Sequence, residues 1–267
     1  MSRARTAAAG GSTAAGESAA AGGRRKTAFR IFFYLLGLLI LAFGVILNSK
    51  AALGVPPVTS ASLTFSMLLN VNLGNITFVH YCVLILIEIL LHVHLHRKGR
   101  LQGSLKSWLI RDGLQIVENF AFTRVMNLFS GLIPDFAADY AGQFFGSIPF
   151  RAVILVAGIF VIGFGLTMVL DMRLVPNPPD GFVQAVSDTS GKPLGLTKNL
   201  VDVVHVAIAV VIGLVVWHGF PVVNVGTIVA VLGVGRVVAL FNYLFKARLD
   251  RLTGMGAAEA EPASEDA

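Results

Sequence analysis

The sequence predicts an all-α protein: a polytopic membrane helix bundle of six spanning helices and two short non-spanning helices, built as two inverted three-helix repeats. Three observations predict it. Hydrophobic residues make up 55% of the 267-residue chain and charged residues only 13%, against about 25% charged in a soluble domain. Several apolar runs reach the roughly 20 residues of helix that a bilayer core requires. The chain also matches itself after a shift of 121 residues. No ten-residue alternating strands of the kind a β-barrel needs are evident.

Residues 1–28 are mostly Ala, Gly, Ser and Arg and cannot bury enough apolar surface to order themselves; a disordered basic tail is expected. The first apolar run begins near Ile31, so it reads as an anchor rather than a cleaved signal. Six segments have spanning length: about 31–47, 76–95, 107–131, 152–170, 194–217 and 220–245. Two shorter pieces, 56–70 and 179–190, start at prolines and have length for only part of a crossing. From Thr253 to Ala267 a disordered acidic tail is expected.

Charge placement sets the topology. Arg24, Arg25, Lys26 and Arg30 precede the first span, and Arg97, Lys98, Arg100, Lys106 and Arg111 surround the loop after the second. Both regions are predicted cytoplasmic. An even number of crossings must lie between them, so 56–70 does not span. Lys246, Arg248 and Arg251 put the C-terminus inside as well, while the loop 132–149, with Asp135 and Asp139 and no Lys or Arg, is predicted extracytoplasmic. Both termini are thus expected on the cytoplasmic side of the membrane. The net charge of +6 is accounted for by these flanks, and no nucleic-acid partner is implied. The lone cysteine, Cys82, lies in an apolar run and permits no intrachain disulfide.

The stretch VLDMRLVPNPPDGF (169–182) follows nineteen uncharged residues and breaks them with acids, an arginine and prolines. The 121-residue shift explains it. Phe29-Arg30 falls on Phe150-Arg151, Gly37 and Gly44 on Gly158 and Gly165, Leu53 on Leu174, Pro57 on Pro178, and Leu73-Gly74 on Leu194-Gly195, with no gap from 29 to 87. At a shift of 112, Arg124, Leu128 and Phe129 then meet Arg236, Leu240 and Phe241. In both copies a span ends, the chain turns, and proline opens a short helix, where its missing N–H has no helical partner to lose. Three spans per half force the copies, 29–131 and 150–247, into opposite orientations, a plan that recurs among secondary transporters.

The motifs L-G-V-P-P and G-N-I-T in the first half, and V-P-N-P-P-D-G-F, P-L-G-L-T-K and G-T-I-V…V-G-R-V-V-A-L-F in the second, resemble the YczE/YyaS/YitT group of bacterial integral membrane proteins, closest to its YczE branch. The likeness covers roughly residues 30–245. It implies a multi-pass cytoplasmic-membrane protein and names no substrate.

A charge at the bilayer centre costs about 2.5–3.5 kcal/mol on insertion scales, so each one needs a reason. Arg124 and Arg236 are repeat-related and mid-span; they suggest a cationic pair for an anionic solute, or arginines bonded to helix-end carbonyls or to Glu118. In the third span Asp112, Gln115, Asn119, Thr123 and Asn127 step by three or four and share one face, which suits a translocation path or interhelical hydrogen bonding. Lys198, Asp202 and His205 are spaced four and three; Lys198 and Asp202 can pair, and Asp202 with His205 can relay protons. His80 and Glu88, eight apart, form a weaker candidate. Asp180, in the first turn of the second short helix, reads as a cap or as a ligand where irregular backbone lines a cavity.

His92, His94 and His96 form H-x-H-x-H, of which only His92 and His96 share a helical face. Two ligands without a cysteine are too few for a structural zinc site, so interfacial histidines are expected and no metal. No cofactor motif occurs: neither a Walker loop nor a Rossmann fingerprint, H-E-x-x-H or G-x-S-x-G. No enzyme is expected. The reading is a secondary transporter or permease for a small, possibly anionic solute. The alternative is a membrane-embedded regulatory or docking partner with no transport activity. Lipid bilayer is the obligate surrounding, and a homo-oligomer is compatible with the pattern.

Overall fold

The computed structural model describes the backbone of residues 3–253, with side chains from Gly23 onward except Arg24. The acidic tail after Thr253 lies outside the described residues. Among those described are eight α-helices, one short 3-10 turn (Phe144–Gly146) and no strand. In chain order they are α1 (Arg3–Ala51), α2 (Pro57–Leu69), α3 (Leu73–Arg97), α4 (Leu105–Leu132), α5 (Ile148–Met172), α6 (Pro178–Ser190), α7 (Leu194–Trp217) and α8 (Val225–Thr253). The helical backbone of α1 reaches back to Arg3, and its apolar part starts at Arg25.

Five helices are long and apolar enough to cross a membrane: Arg25–Ala51 of α1, α3, α5, α7 and α8. The chain is an integral membrane protein on that composition. α4 has ample length at 28 residues, but Arg111, Asp112, Glu118 and Arg124 interrupt its apolar character.

The two short helices start and stop for local reasons. Pro57 and Pro178 occupy first-turn positions, where a proline costs no helical hydrogen bond. α2 ends at Asn70 and α6 at Gly191, each in the left-handed conformation, the usual geometry of a helix C-terminus. Ahead of them, α1 and α5 break at Ala52 (φ 50°) and Arg173 (φ 48°), and the prolines that follow prevent the helix from resuming.

α1 and α5 form the central pair, running antiparallel. Small residues let their backbones approach: a Cβ on Gly44 would lie 2.7 Å from the backbone N of Ile162, and one on Gly165 would lie 2.5 Å from that of Leu41. The helix ends are tied reciprocally. Arg30, at the start of the apolar part of α1, donates to the Met172 carbonyl at the end of α5 (2.9 Å). Arg151, in the first turn of α5, donates to the Ala51 and Ala52 carbonyls at the end of α1 (2.7 and 2.6 Å). A guanidinium at a helix C-terminus satisfies orphan carbonyls and opposes the helix dipole. The main core of Leu38, Leu41, Ile46, Ile162, Met168 and Met172 lies between these two helices and extends to Tyr81, Phe122 and Met126.

Around this pair α4 packs on α1 and α3, α8 packs on α5, α6 lies against α3, and α2 lies against α7. The outer faces are apolar: Leu35, Val79, Leu90, Phe160, Val203, Val215 and Ile228 are among many exposed large side chains. Such a surface far exceeds the apolar patches of soluble monomers and fits contact with lipid.

Candidate functional site

The polar residues of α4 face inward. Asp112, Gln115, Asn119 and Thr123 have no solvent exposure, Glu118 is buried, and Asn127 is partly buried. Spacings of three and four put them on the side of α4 that packs on α3 and touches the first turn of α6. From α3, Glu88 and His92, one helical turn apart, meet them; both are buried.

His92 Nδ1 lies 2.8 Å from Asp112 Oδ2, and Gln115 Nε2 donates to Glu88 Oε1 (3.0 Å). Asn119 Nδ2 donates to the Phe78 carbonyl (3.0 Å) and approaches Cys82 Sγ (3.6 Å). Gly181 of α6 closes the third side. A Cβ there would sit 2.7 and 2.8 Å from the two Glu88 carboxyl oxygens and 2.9 Å from Gln115 Nε2, so only glycine lets α6 come this near. At the end toward the basic 97–111 loop, the Trp108 ring covers His92 (centroids 4.6 Å apart). The Arg111 guanidinium lies over Trp108 (4.1 Å).

Several of these groups are only partly satisfied. Glu88 Oε2, His92 Nε2, Asp112 Oδ1, Gln115 Oε1, both Glu118 carboxyl oxygens and Asn119 Oδ1 are buried without a hydrogen-bond partner among the described residues. Burial of unpaired polar atoms costs free energy, so a carboxyl here is neutral or takes a proton, cation or water as its partner. The α3–α4–α6 interface is thus a buried column of acids, amides and one imidazole.

A second polar chain crosses α2, α3 and α7. Ser62 Oγ lies 2.8 Å from His80 Nδ1, His80 Nε2 lies 3.2 Å from His205 Nε2, and His205 Nδ1 lies 2.7 Å from the Val201 carbonyl. A carbonyl only accepts, so His205 carries its proton on Nδ1 and His80 donates from Nε2, which leaves His80 Nδ1 to accept from Ser62. The hydrogen bonds therefore point one way, from α2 through α3 to α7.

Other residues singled out from the sequence sit differently. Arg124 and Arg236 do not gather in a cavity; both are exposed. Arg124 donates to Asn75 Oδ1 (2.7 Å) and lies over Phe120, while Arg236 belongs to α8, which packs on α5 away from α4. Lys198 reaches Asp180 (3.4 Å) rather than Asp202, because α6 brings Asp180 within reach of the start of α7. Asp202 is partly buried, and His205 makes its side-chain hydrogen bond with His80. Asp180 lies in the first turn of α6 and binds Lys198 instead of capping its helix. Glu88 answers to Gln115, not to His80. His92 is buried in the protein at 1% exposure, while His94 and His96 are exposed.

Sequence reasoning missed the Glu88–His92–Asp112–Gln115 grouping. Its signal was Glu88-x3-His92 on α3, a one-face pair obscured by the H-x-H-x-H pattern, set against Asp112-x2-Gln115 on α4. No curated protein and no solved structure matches the chain. A family model does match, over residues 28–243: a family of unknown function designated DUF6198. The match spans α1 from its basic flank to the middle of α8, and the chain belongs to that family.

Proposed function

We propose that this protein is a permease of the bacterial cytoplasmic membrane, a carrier rather than an enzyme, which moves a small cationic or proton-coupled solute along the inner face of α4. The observation that carries this reading is the buried column of partly satisfied acids and amides between α3, α4 and α6. Intramembrane acids are rare, and they commonly mark ion or proton routes. The exposure of Arg124 and Arg236 removes the reason to favour an anion, and the interior acids favour a cation.

In this reading α4 is the sixth span, its polar face tolerated because it is covered by protein. The two halves, α1–α4 and α5–α8, form inverted repeats. Support comes from the order long, short, long, long in each half and from the reciprocal ties Arg30–Met172 and Arg151–Ala51. Each partner in one tie is 121 residues from its counterpart in the other. α2 and α6 are then the broken-helix elements that inverted-repeat carriers use to line a site. Basic flanks keep both termini cytoplasmic, and the resemblance to the YczE branch agrees with a multi-pass protein.

Flux of protons and of monovalent and divalent cations into proteoliposomes tests the proposal. Wild-type protein should move at least one of them, and Glu118→Gln and Glu88→Gln should reduce that flux to the level of empty vesicles. Absence of any cation or proton flux, or wild-type flux in both variants, overturns it. A docking bundle would instead give no flux and a partner that co-purifies in fixed ratio.

A further inference from the structure

We propose that Glu88, His92 and Asp112 form a binding site for a divalent transition-metal cation at the α3–α4–α6 junction. Each offers one ligand atom, and the three atoms lie within 4.8 Å of one another. Ligands about 2.1 Å from one ion lie about 3.4 Å apart in tetrahedral geometry, so closure needs side-chain movements of up to roughly an ångström. One imidazole nitrogen with carboxyl oxygens is a donor set that suits Zn2+ or Mn2+.

Three independent features distinguish this group from an ordinary acidic cluster. First, Glu88 and Asp112 have no solvent exposure and His92 only 1%, whereas surface acids need no counterion. Second, each of the three keeps an unpartnered polar atom, and so does the adjoining Gln115 through Oε1. That amide is itself fully buried and held beside Glu88 by its own Nε2. Third, Gly181 lets the α6 backbone close directly over the Glu88 carboxyl, where a Cβ would lie 2.7 and 2.8 Å from its two oxygens, so the group is walled in on that side. Ionised, the two carboxylates would carry two negative charges in a medium that tolerates none unpaired, and a divalent cation taking the place of their protons would neutralise both.

The Trp108 ring over His92 and the Arg111 guanidinium over Trp108 shield the group on the side of the basic loop. An ion entering from that side passes Trp108 and so exchanges slowly. The site does not depend on the permease reading: binding is measured on purified protein and flux in vesicles, so either can fail alone.

The full chain, purified in detergent and stripped with a chelator, is titrated with Zn2+ and with Mn2+ and its bound metal counted by mass spectrometry. Saturable binding of one ion per chain is expected, accompanied by a rise in Tm. Glu88→Gln, His92→Gln and Asp112→Asn should each weaken binding by at least the roughly 10–100-fold typical of disturbed metal surroundings. Gly181→Ala, which keeps every ligand but crowds the carboxyl, should also weaken it. His94→Gln and His96→Gln should leave it unchanged. Because the wild-type titration and Gly181→Ala need no ligand removed, misfolding of a ligand variant does not remove the test. No saturable binding of either ion to wild-type protein overturns the proposal, as does binding lost with His94 and His96 but kept without Glu88 and Asp112.

Discussion

α4 and α8 each close a series of long, short, long and long helices, yet they bury opposite chemistry. At the 112-residue shift, Gln115, Glu118, Asn119 and Thr123 correspond to Thr227, Ala230, Val231 and Gly235. Continuing the 121-residue shift, Glu88 and His92 correspond to Ala209 and Gly213. Ala209, Gly213, Thr227 and Ala230 are buried as well, so these four positions are packed without ionisable groups. α4 packs on α3, whereas α8 leans on α5 and leaves Val225, Ile228 and Tyr243 exposed. The two series of helices therefore differ in content: a buried polar column lies along α4 and largely apolar packing along α8.

The largest expected break in this comparison is functional. Glu88→Gln or Glu118→Gln should remove flux, while Ala209→Ser and Ala230→Ser, at the corresponding positions, should leave it at the wild-type level in proteoliposomes. Equal losses in the two halves would put the route elsewhere.

Next in size is the seam the halves share. Gly44→Leu and Gly165→Leu each force a side chain between α1 and α5 and should cost about 1–3 kcal/mol or more, measured as loss of Tm in detergent. Because the two glycines lie on opposite partners of one seam, their costs should be similar. A large inequality would argue against the reciprocal arrangement.

Smaller still is the cost at the helix ends. Arg151→Ala removes two hydrogen bonds to carbonyls and Arg30→Ala removes one; about 1–2 kcal/mol and about 1 kcal/mol are expected. Thermal unfolding of the two variants reads that ratio. Smallest are Arg124→Ala and Arg236→Ala. Both side chains are exposed and lie outside the buried column, so flux should persist. If either change abolishes flux, the solute is an anion and the interior acids are not its route.

Much of the frame can be read from the sequence because its causes are local. Pro57 and Pro178 start the short helices, and a three-and-four spacing gathers Asp112, Gln115, Asn119 and Thr123 on one face. The reciprocal Arg30 and Arg151 stand out as the first aligned pair in the shifted sequence. The site is harder to read, because pairing across helices depends on which helices adjoin. Lys198 has Asp202 one turn away, yet α6 delivers Asp180 to it. His92 looks interfacial by its neighbours His94 and His96, but its own face of α3 turns toward Asp112. Arg124 and Arg236 look buried by their depth in the chain, since nothing in a one-dimensional pattern says which side of a helix meets the protein.

The most direct test uses thiol accessibility. In a Cys82→Ser background, single cysteines at Gln115, Asn119 and Thr123 are compared with cysteines at Thr227, Ala230 and Gly235, using a membrane-impermeant thiol reagent applied to membranes from each side in turn. The account predicts labelling at first-half positions from at least one side and none at the second-half positions. Labelling of the second-half positions alone, or of neither set, would contradict a polar route along α4.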